Sequence, residues 1–98
     1  MGQIERIQKM EERLNHASQA VIKLSAALDD YVETMEDIRV LASYYGSEEW
    51  KQDFADDEAH RFPVGMRRGV LSEDAIWNML EDHRALKARM KECLRQRR

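Results

Sequence analysis

The chain has 98 residues, of which 43% are apolar and 36% charged, and its formal net charge is −3. This length is enough for one small domain, and one proline with four glycines leaves little room for an all-β fold with many turns. The negative charge also disfavours a dedicated nucleic-acid-binding protein, which usually carries a basic excess.

The first predicted element is a long amphipathic helix over about residues 3–45. Apolar or small residues recur there at alternating intervals of three and four, which is typical of a coiled-coil seam. No proline or glycine interrupts this stretch. Asn15–Ser18 is its weakest helical segment and the predicted position of any bend. We call these apolar positions the seam: Ile7, Met10, Leu14, Ala17, Val21, Leu24, Leu28, Tyr31, Met35, Ile38, Ala42 and Tyr45.

A stop signal and a start signal follow the long helix directly. Gly46 can adopt the left-handed conformation that ends a helix, and Ser47 is a suitable N-cap for the next one. The second helix is predicted over 48–59. Trp50 and Phe54 lie four residues apart on one of its faces, so we expect aromatic contacts to hold it in place.

The connection over residues 60–71 contains a proline and two glycines and is predicted to be irregular. Five of its twelve residues are nevertheless apolar, which is more than a solvated linker usually carries. We therefore predict an ordered loop whose apolar side chains pack down: Phe62, Val64, Met66, Val70 and Leu71.

The third helix is predicted over 73–96. Ser72 is its expected N-cap, and Leu71 with Ile76 has the spacing of a hydrophobic staple across the helix start. Its apolar stripe has the same three-four spacing as the first helix and comprises Ile76, Met79, Leu80, His83, Leu86, Met90, Cys93 and Leu94.

These elements predict one all-α domain over residues 1–98. A long helix, a short helix and a returning helix are expected to form an antiparallel helical hairpin or bundle. The aromatic side chains are expected to cluster at its turn: Tyr44, Tyr45, Trp50, Phe54, Phe62 and Trp77.

Two segments, Tyr44–Trp50 and Arg68–Ala75, resemble the motifs of a family of small bacterial proteins known as a domain of unknown function, family 4298. The resemblance extends over nearly the whole chain. It implies a bacterial, cytosolic, helical protein, and it assigns no catalytic residue.

No motif predicts catalysis, a metal or a cofactor. His16, His60 and His83 lack metal-ligand spacing with a second histidine, and Glu12 with His16 would need further ligands from elsewhere. The acidic run over residues 56–58 is predicted to be a solvated face. We expect the protein not to be an enzyme, and we expect no cofactor.

A cationic stripe on the third helix has two interpretations. It can pair with an acidic stripe of the first helix, made of Asp29, Glu33, Glu36 and Asp37, or it can bind an external anionic partner such as nucleic acid. Three loop arginines, Arg61, Arg67 and Arg68, form a weaker basic cluster with the same alternatives. We call the five residues of the third helix the basic stripe: Arg84, Lys87, Lys91, Arg95 and Arg98.

The two long helices differ in predicted length by roughly 28 Å at 1.5 Å per residue. A returning helix therefore reaches no further than about Val21, and the start of the first helix is left without a partner. We predict that the protein forms a homodimer by antiparallel pairing of two such ends. The alternative is a first helix that bends back on itself. The candidate self-association residues are Ile4, Ile7, Met10, Leu14 and Ala17.

The function predicted from these features is a protein-protein interaction or regulatory module acting as a homodimer. A nucleic-acid-associated protein using the basic stripe is the alternative. Cys93 is the single cysteine, no apolar run suits a membrane span or a secretory signal, and we therefore expect a cytoplasmic protein with no membrane association.

Overall fold

The protein is all-α. A computed structural model describes residues 2–96, and within this range there are three α-helices, one short 3₁₀ turn and no strand. The predicted class and element order are confirmed. The helices are α1 (Gln3–Tyr44), α2 (Glu48–Glu58) and α3 (Ala75–Gln96), with the 3₁₀ turn at Gly69–Leu71.

The chain divides into two compact units, one ending at Met35 and the other beginning at Glu36. Among its described residues the first unit contains one element, the part of α1 that precedes Glu36. The second unit contains the end of α1, α2, the connecting loop and α3.

In the first unit, α1 is continuous through Asn15–Ser18. The alternative in which the first helix bends back on itself at this segment is therefore wrong. Good helix formers on both sides carry the helix through the weaker stretch, since propensity differences of a few tenths of a kcal/mol per residue are small beside helix cooperativity.

Local signals position the start of the second unit's α2 as the sequence predicts. Gly46 has a φ of 81°, the left-handed conformation that closes a helix. The Ser47 hydroxyl accepts a hydrogen bond from the Trp50 N–H at 3.1 Å, which caps α2. The same hydroxyl donates to the Tyr44 carbonyl at 2.6 Å, so one side chain joins the end of α1 to the start of α2.

The start of α3 is less regular than predicted. Ser72 accepts from the Ala75 N–H at 3.1 Å as an N-cap does, yet the helix begins at Ala75 and not at residue 73. Ser72 also closes the preceding 3₁₀ turn, since its N–H donates to the Gly69 carbonyl at 3.1 Å. The chain therefore passes from one helical turn to the next, with three residues between them.

Leu71 and Ile76 form the centre of the second unit's core. They are 4% and 3% exposed, and they are the two buried apolar residues in the described part of the chain. The staple positions predicted from the sequence are thus the best-covered side chains. The neighbouring loop is only partly packed down. Phe62 is half-buried, but Val64 is fully exposed and Met66 and Val70 are 43% and 42% exposed, so the prediction is wrong for these three side chains.

The closed end of a helical hairpin is visible within this second unit. The hydroxyl of Tyr45, the residue after α1, donates to the Glu73 carbonyl at 3.2 Å, which joins the turn that follows α1 to the segment leading into α3. The contacts between the helices are consistent with a helical hairpin or bundle, as predicted.

Candidate interaction surfaces

The seam in the first unit is an exposed apolar surface on a single helix. Four of the five candidate self-association residues have large side chains, and no other element of this unit covers them. Ala17, the fifth, is also exposed. The exposed fractions of the four are 73% for Ile4, 52% for Ile7, 52% for Met10 and 59% for Leu14.

Exposure extends further along the seam than predicted. Val21, Leu24, Leu28 and Met35 retain between 48% and 69% of their accessible surface. A shallow cleft of about 360 Å³ lies on the same helix beside Ala17 and Val21. An apolar surface of this length on a helix is normally covered by another helix.

In the second unit, hydrogen bonds join the two motif segments, and two ring contacts surround Trp50 of the first segment. The Trp50 indole N–H donates to the Val70 carbonyl at 3.0 Å. The Trp50 ring lies 5.2 Å from Tyr45 in an edge arrangement and 5.2 Å from Phe54 in a stacked one. These contacts connect the turn after α1, α2 and the loop, and aromatic pairs of this geometry stabilise a fold.

Tyr44 makes a further contact that the sequence analysis missed. Its hydroxyl donates to Oδ2 of Asp53 at 2.6 Å. Partial burial, the hydrogen bond to Asp53 and the negative charge of that carboxylate raise the pKa of Tyr44 from 10.0 to about 12. The spacing of nine residues across a helix break carries no periodic signal, so only the fold reveals this pair.

Trp77 does not belong to the aromatic cluster. It is 51% exposed, and no ring contact to it is recorded among residues 2–96. The prediction that all six aromatic side chains cluster at the turn is therefore wrong for Trp77, since it lies on an exposed face of α3 next to the buried Ile76.

The acidic run of α2 and the loop arginines neutralise each other. Arg61 pairs with Asp56 at 3.2 Å, and Arg68 pairs with Asp57. The two aspartate side chains are only 25% and 21% exposed, so the prediction of a solvated acidic face is wrong for them. The pairing needs the loop to turn back on α2, which sequence spacing does not reveal.

Arg67 differs from its two neighbours. No ion pair is recorded for it in the described part of the chain, and it lies at the edge of an apolar groove of about 350 Å³. Leu41, Val70, Ile76 and Met79 form the apolar wall of this groove.

The basic stripe is partly neutralised inside α3 itself. Arg84 pairs with Glu81, and Arg95 pairs with Glu92 at 3.6 Å, each across one helical turn. Within residues 2–96, Lys87 and Lys91 are exposed and have no recorded ion pair. Arg98 lies outside the described residues. On the acidic stripe, Glu36 pairs locally with Arg39.

No cluster of three or more His, Cys, Asp and Glu side chains suited to a metal ion occurs among residues 2–96. The same range contains no helix long and apolar enough to cross a membrane.

The two motifs and the helices around them define the class of the protein. It is a small all-α protein in which a short helix that carries a tryptophan stabilises the turn between two longer helices. The model of the family described as "Domain of unknown function (DUF4298)" matches residues 7–93, and the chain belongs to this family. The match spans both motif segments, so the resemblance noted from the sequence is confirmed. No curated protein and no solved structure matches the chain.

Proposed function

We propose that the protein is an interaction or regulatory module that forms a homodimer through the start of α1. The observation that supports this most strongly is the exposure of Ile4, Ile7, Met10 and Leu14 on one face of a helix that has no other element beside it in its unit. Side chains of this kind on a charged protein mark an association surface.

The energetic argument favours association. Each large apolar side chain left in water forgoes about 1.5–3 kcal/mol of burial free energy. Four of them forgo about 6–12 kcal/mol, which is comparable to the whole stability of a small domain. A second copy carries the same seam, so the pairing is self-complementary and closes with two-fold symmetry.

The proposed role is binding and not catalysis. The polar and aromatic contacts of the second unit hold its turn together. They are made by Tyr44, Trp50 and Arg68. We propose a bacterial cytoplasmic setting. The resemblance of the two motifs supports the bacterial origin, and the free, exposed thiol of Cys93 supports a reducing compartment.

Sedimentation equilibrium tests this function. We expect the chain to be a dimer at micromolar concentration and the variant Ile7→Asp with Leu14→Asp to be a monomer that keeps the cooperative unfolding of its second unit. The matched control is Gln8→Asp with Asn15→Asp, which adds the same charge at the same spacing on the outer face and should remain dimeric. A monomeric wild-type chain at high micromolar concentration contradicts the proposal.

A nucleic-acid-associated role is the second candidate. Its support is the pair of exposed lysines, Lys87 and Lys91, for which no neutralising ion pair is recorded in the described range. Against it stand the net charge of −3 and the local neutralisation of Arg84 and Arg95.

A further inference from the structure

We propose that the two copies lie parallel and in register over residues 4–17, with Arg6 of each copy facing Glu11 of the other. This orientation rests on the proposed dimer and goes beyond it, because the apolar spacing alone is equally compatible with antiparallel pairing. The charges beside the seam distinguish the two arrangements.

The spacing of the seam residues gives each charged neighbour a position in the coiled-coil heptad, whose seven positions are labelled a to g. With Ile7 and Leu14 at position a, and Met10 and Ala17 at position d, the flanking positions are fixed. Arg6 then occupies position g, which lies beside the seam on one flank. The other flanking charges are Arg13, also at g, and Glu11, at e on the opposite flank.

These flanking charges have no partner in their own helix. No oppositely charged residue lies three or four positions from Arg6, Glu11 or Arg13, which are the spacings at which helical side chains meet. No ion pair is recorded for any of the three within residues 2–96. On the outer face, by contrast, Lys9 lies four residues after Glu5 and three before Glu12.

In a parallel, in-register pair, position g of one helix faces position e of the next heptad in the other helix. Arg6 then faces Glu11 of the second copy, and the symmetry produces this contact twice. Arg13 faces Ser18, which is neutral. The flanking charges therefore attract one another, and none meets a like charge.

In an antiparallel pair, position g faces g and position e faces e. When only the ends over residues 4–17 overlap, the arginines at Arg6 and Arg13 face each other across one flank. On the other flank, Glu11 lies near Glu11 of the second copy. Like charges placed opposite each other destabilise a helix pair, so the antiparallel pairing predicted from the apolar spacing is disfavoured.

The seam side chains are compatible with the parallel arrangement. Within the proposed overlap, position a holds Ile7 and Leu14 and position d holds Met10 and Ala17, so every core position is apolar or small, as two-stranded packing requires. In register, Ile7 packs on Ile7 and Leu14 on Leu14 of the second copy.

A charge reversal gives opposite results for the two orientations. In the parallel dimer, Arg6→Glu places two carboxylates opposite each other on both flanks, and we expect the dissociation constant at low salt to rise about tenfold. Adding Glu11→Arg should restore it to within about threefold of wild type. Lys9→Glu is the control, since it changes the charge equally on the outer face and should alter dimerisation little.

Disulfide capture gives an independent test in a Cys93→Ser background. Ala17→Cys places two thiols opposite each other only in the parallel register, whereas Glu12→Cys, on the outer face, keeps its thiols apart. In a glutathione buffer we expect about tenfold more linked dimer from Ala17→Cys than from Glu12→Cys.

The outcomes separate the orientation from the dimer itself. If Arg6→Glu tightens the dimer, or if Ala17→Cys is captured only when mixed with Ile7→Cys, the chain dimerises but the parallel register is wrong. If the wild-type chain sediments as a monomer, both the dimer and its orientation are wrong.

Discussion

The hydroxyl of Tyr44, the last residue of α1, donates a hydrogen bond to Oδ2 of Asp53 in α2 at 2.6 Å. This contact joins the end of α1 to α2, because the two residues lie on opposite sides of the Gly46 turn. It also places a titratable group at the point where the family's first motif begins.

The first prediction concerns the pH dependence of this contact. The pKa of Tyr44 is raised from 10.0 to about 12, so its protonated phenol stabilises the folded state fully below about pH 10, and this contribution is lost as the pH rises to about 12. An ultraviolet titration of the chain should therefore contain a late phenol ionisation near pH 12. Tyr44→Phe should abolish that late step and lower the free energy of unfolding at neutral pH by about 1 kcal/mol. If the late step persists in Tyr44→Phe, it belongs to another tyrosine.

The second prediction contrasts the two tryptophans. Trp50 is half-buried, stacks on Phe54 and donates to the Val70 carbonyl, whereas Trp77 is 51% exposed. In urea melts, Trp50→Ala should lower the free energy of unfolding by about 2–3 kcal/mol, somewhat less than for a fully buried ring. Trp77→Ala should cost less than about 1 kcal/mol. A loss for Trp50→Ala as small as that expected for Trp77→Ala would contradict the role of Trp50 at the turn.

The third prediction uses two glycines with different backbone conformations. Gly46 has a φ of 81°, and a Cβ there would meet open space, so the cost of Gly46→Ala is backbone strain alone. We expect a loss of about 1 kcal/mol in thermal or urea unfolding. A Cβ added at Gly69 would also meet open space, and the φ of Gly69 is not in the left-handed region. Gly69→Ala should therefore be neutral or slightly stabilising. A neutral Gly46→Ala would contradict the left-handed helix stop.

The fourth prediction tests the basic stripe. Changing Lys87, Lys91 and Arg95 together to Gln should lower the free energy of unfolding by at most about 1 kcal/mol, because exposed charges contribute little. Binding of the wild-type chain to duplex or single-stranded DNA should be negligible at physiological salt. Micromolar binding that weakens steeply with salt and disappears in the triple variant would instead support the nucleic-acid-associated role.

Much of the local structure was predictable because its causes are local. The three-four spacing of Ile7, Met10 and Leu14 specifies a helix and its apolar face, since the helical period is a property of the backbone. Gly46 and Ser47 specify where one helix stops and the next starts, and Leu71 with Ile76 marks the core because a hydrophobic staple joins near neighbours.

The contacts that join the elements could only be decided by the tertiary structure. Trp50 meets the Val70 carbonyl across 20 residues, and Arg68 meets Asp57 across 11, so both depend on the path of a loop whose turns have no periodic signal. The sequence by itself determined the helices, the residues that stop and start them, and the apolar seam with its flanking charges, but not the exposure of the seam from Val21 to Met35. Only the tertiary structure decided that loop arginines neutralise the acidic run of α2. It also decided that Val64 and Trp77 remain exposed, because the burial of a side chain depends on which surfaces pack together and not on its own hydrophobicity.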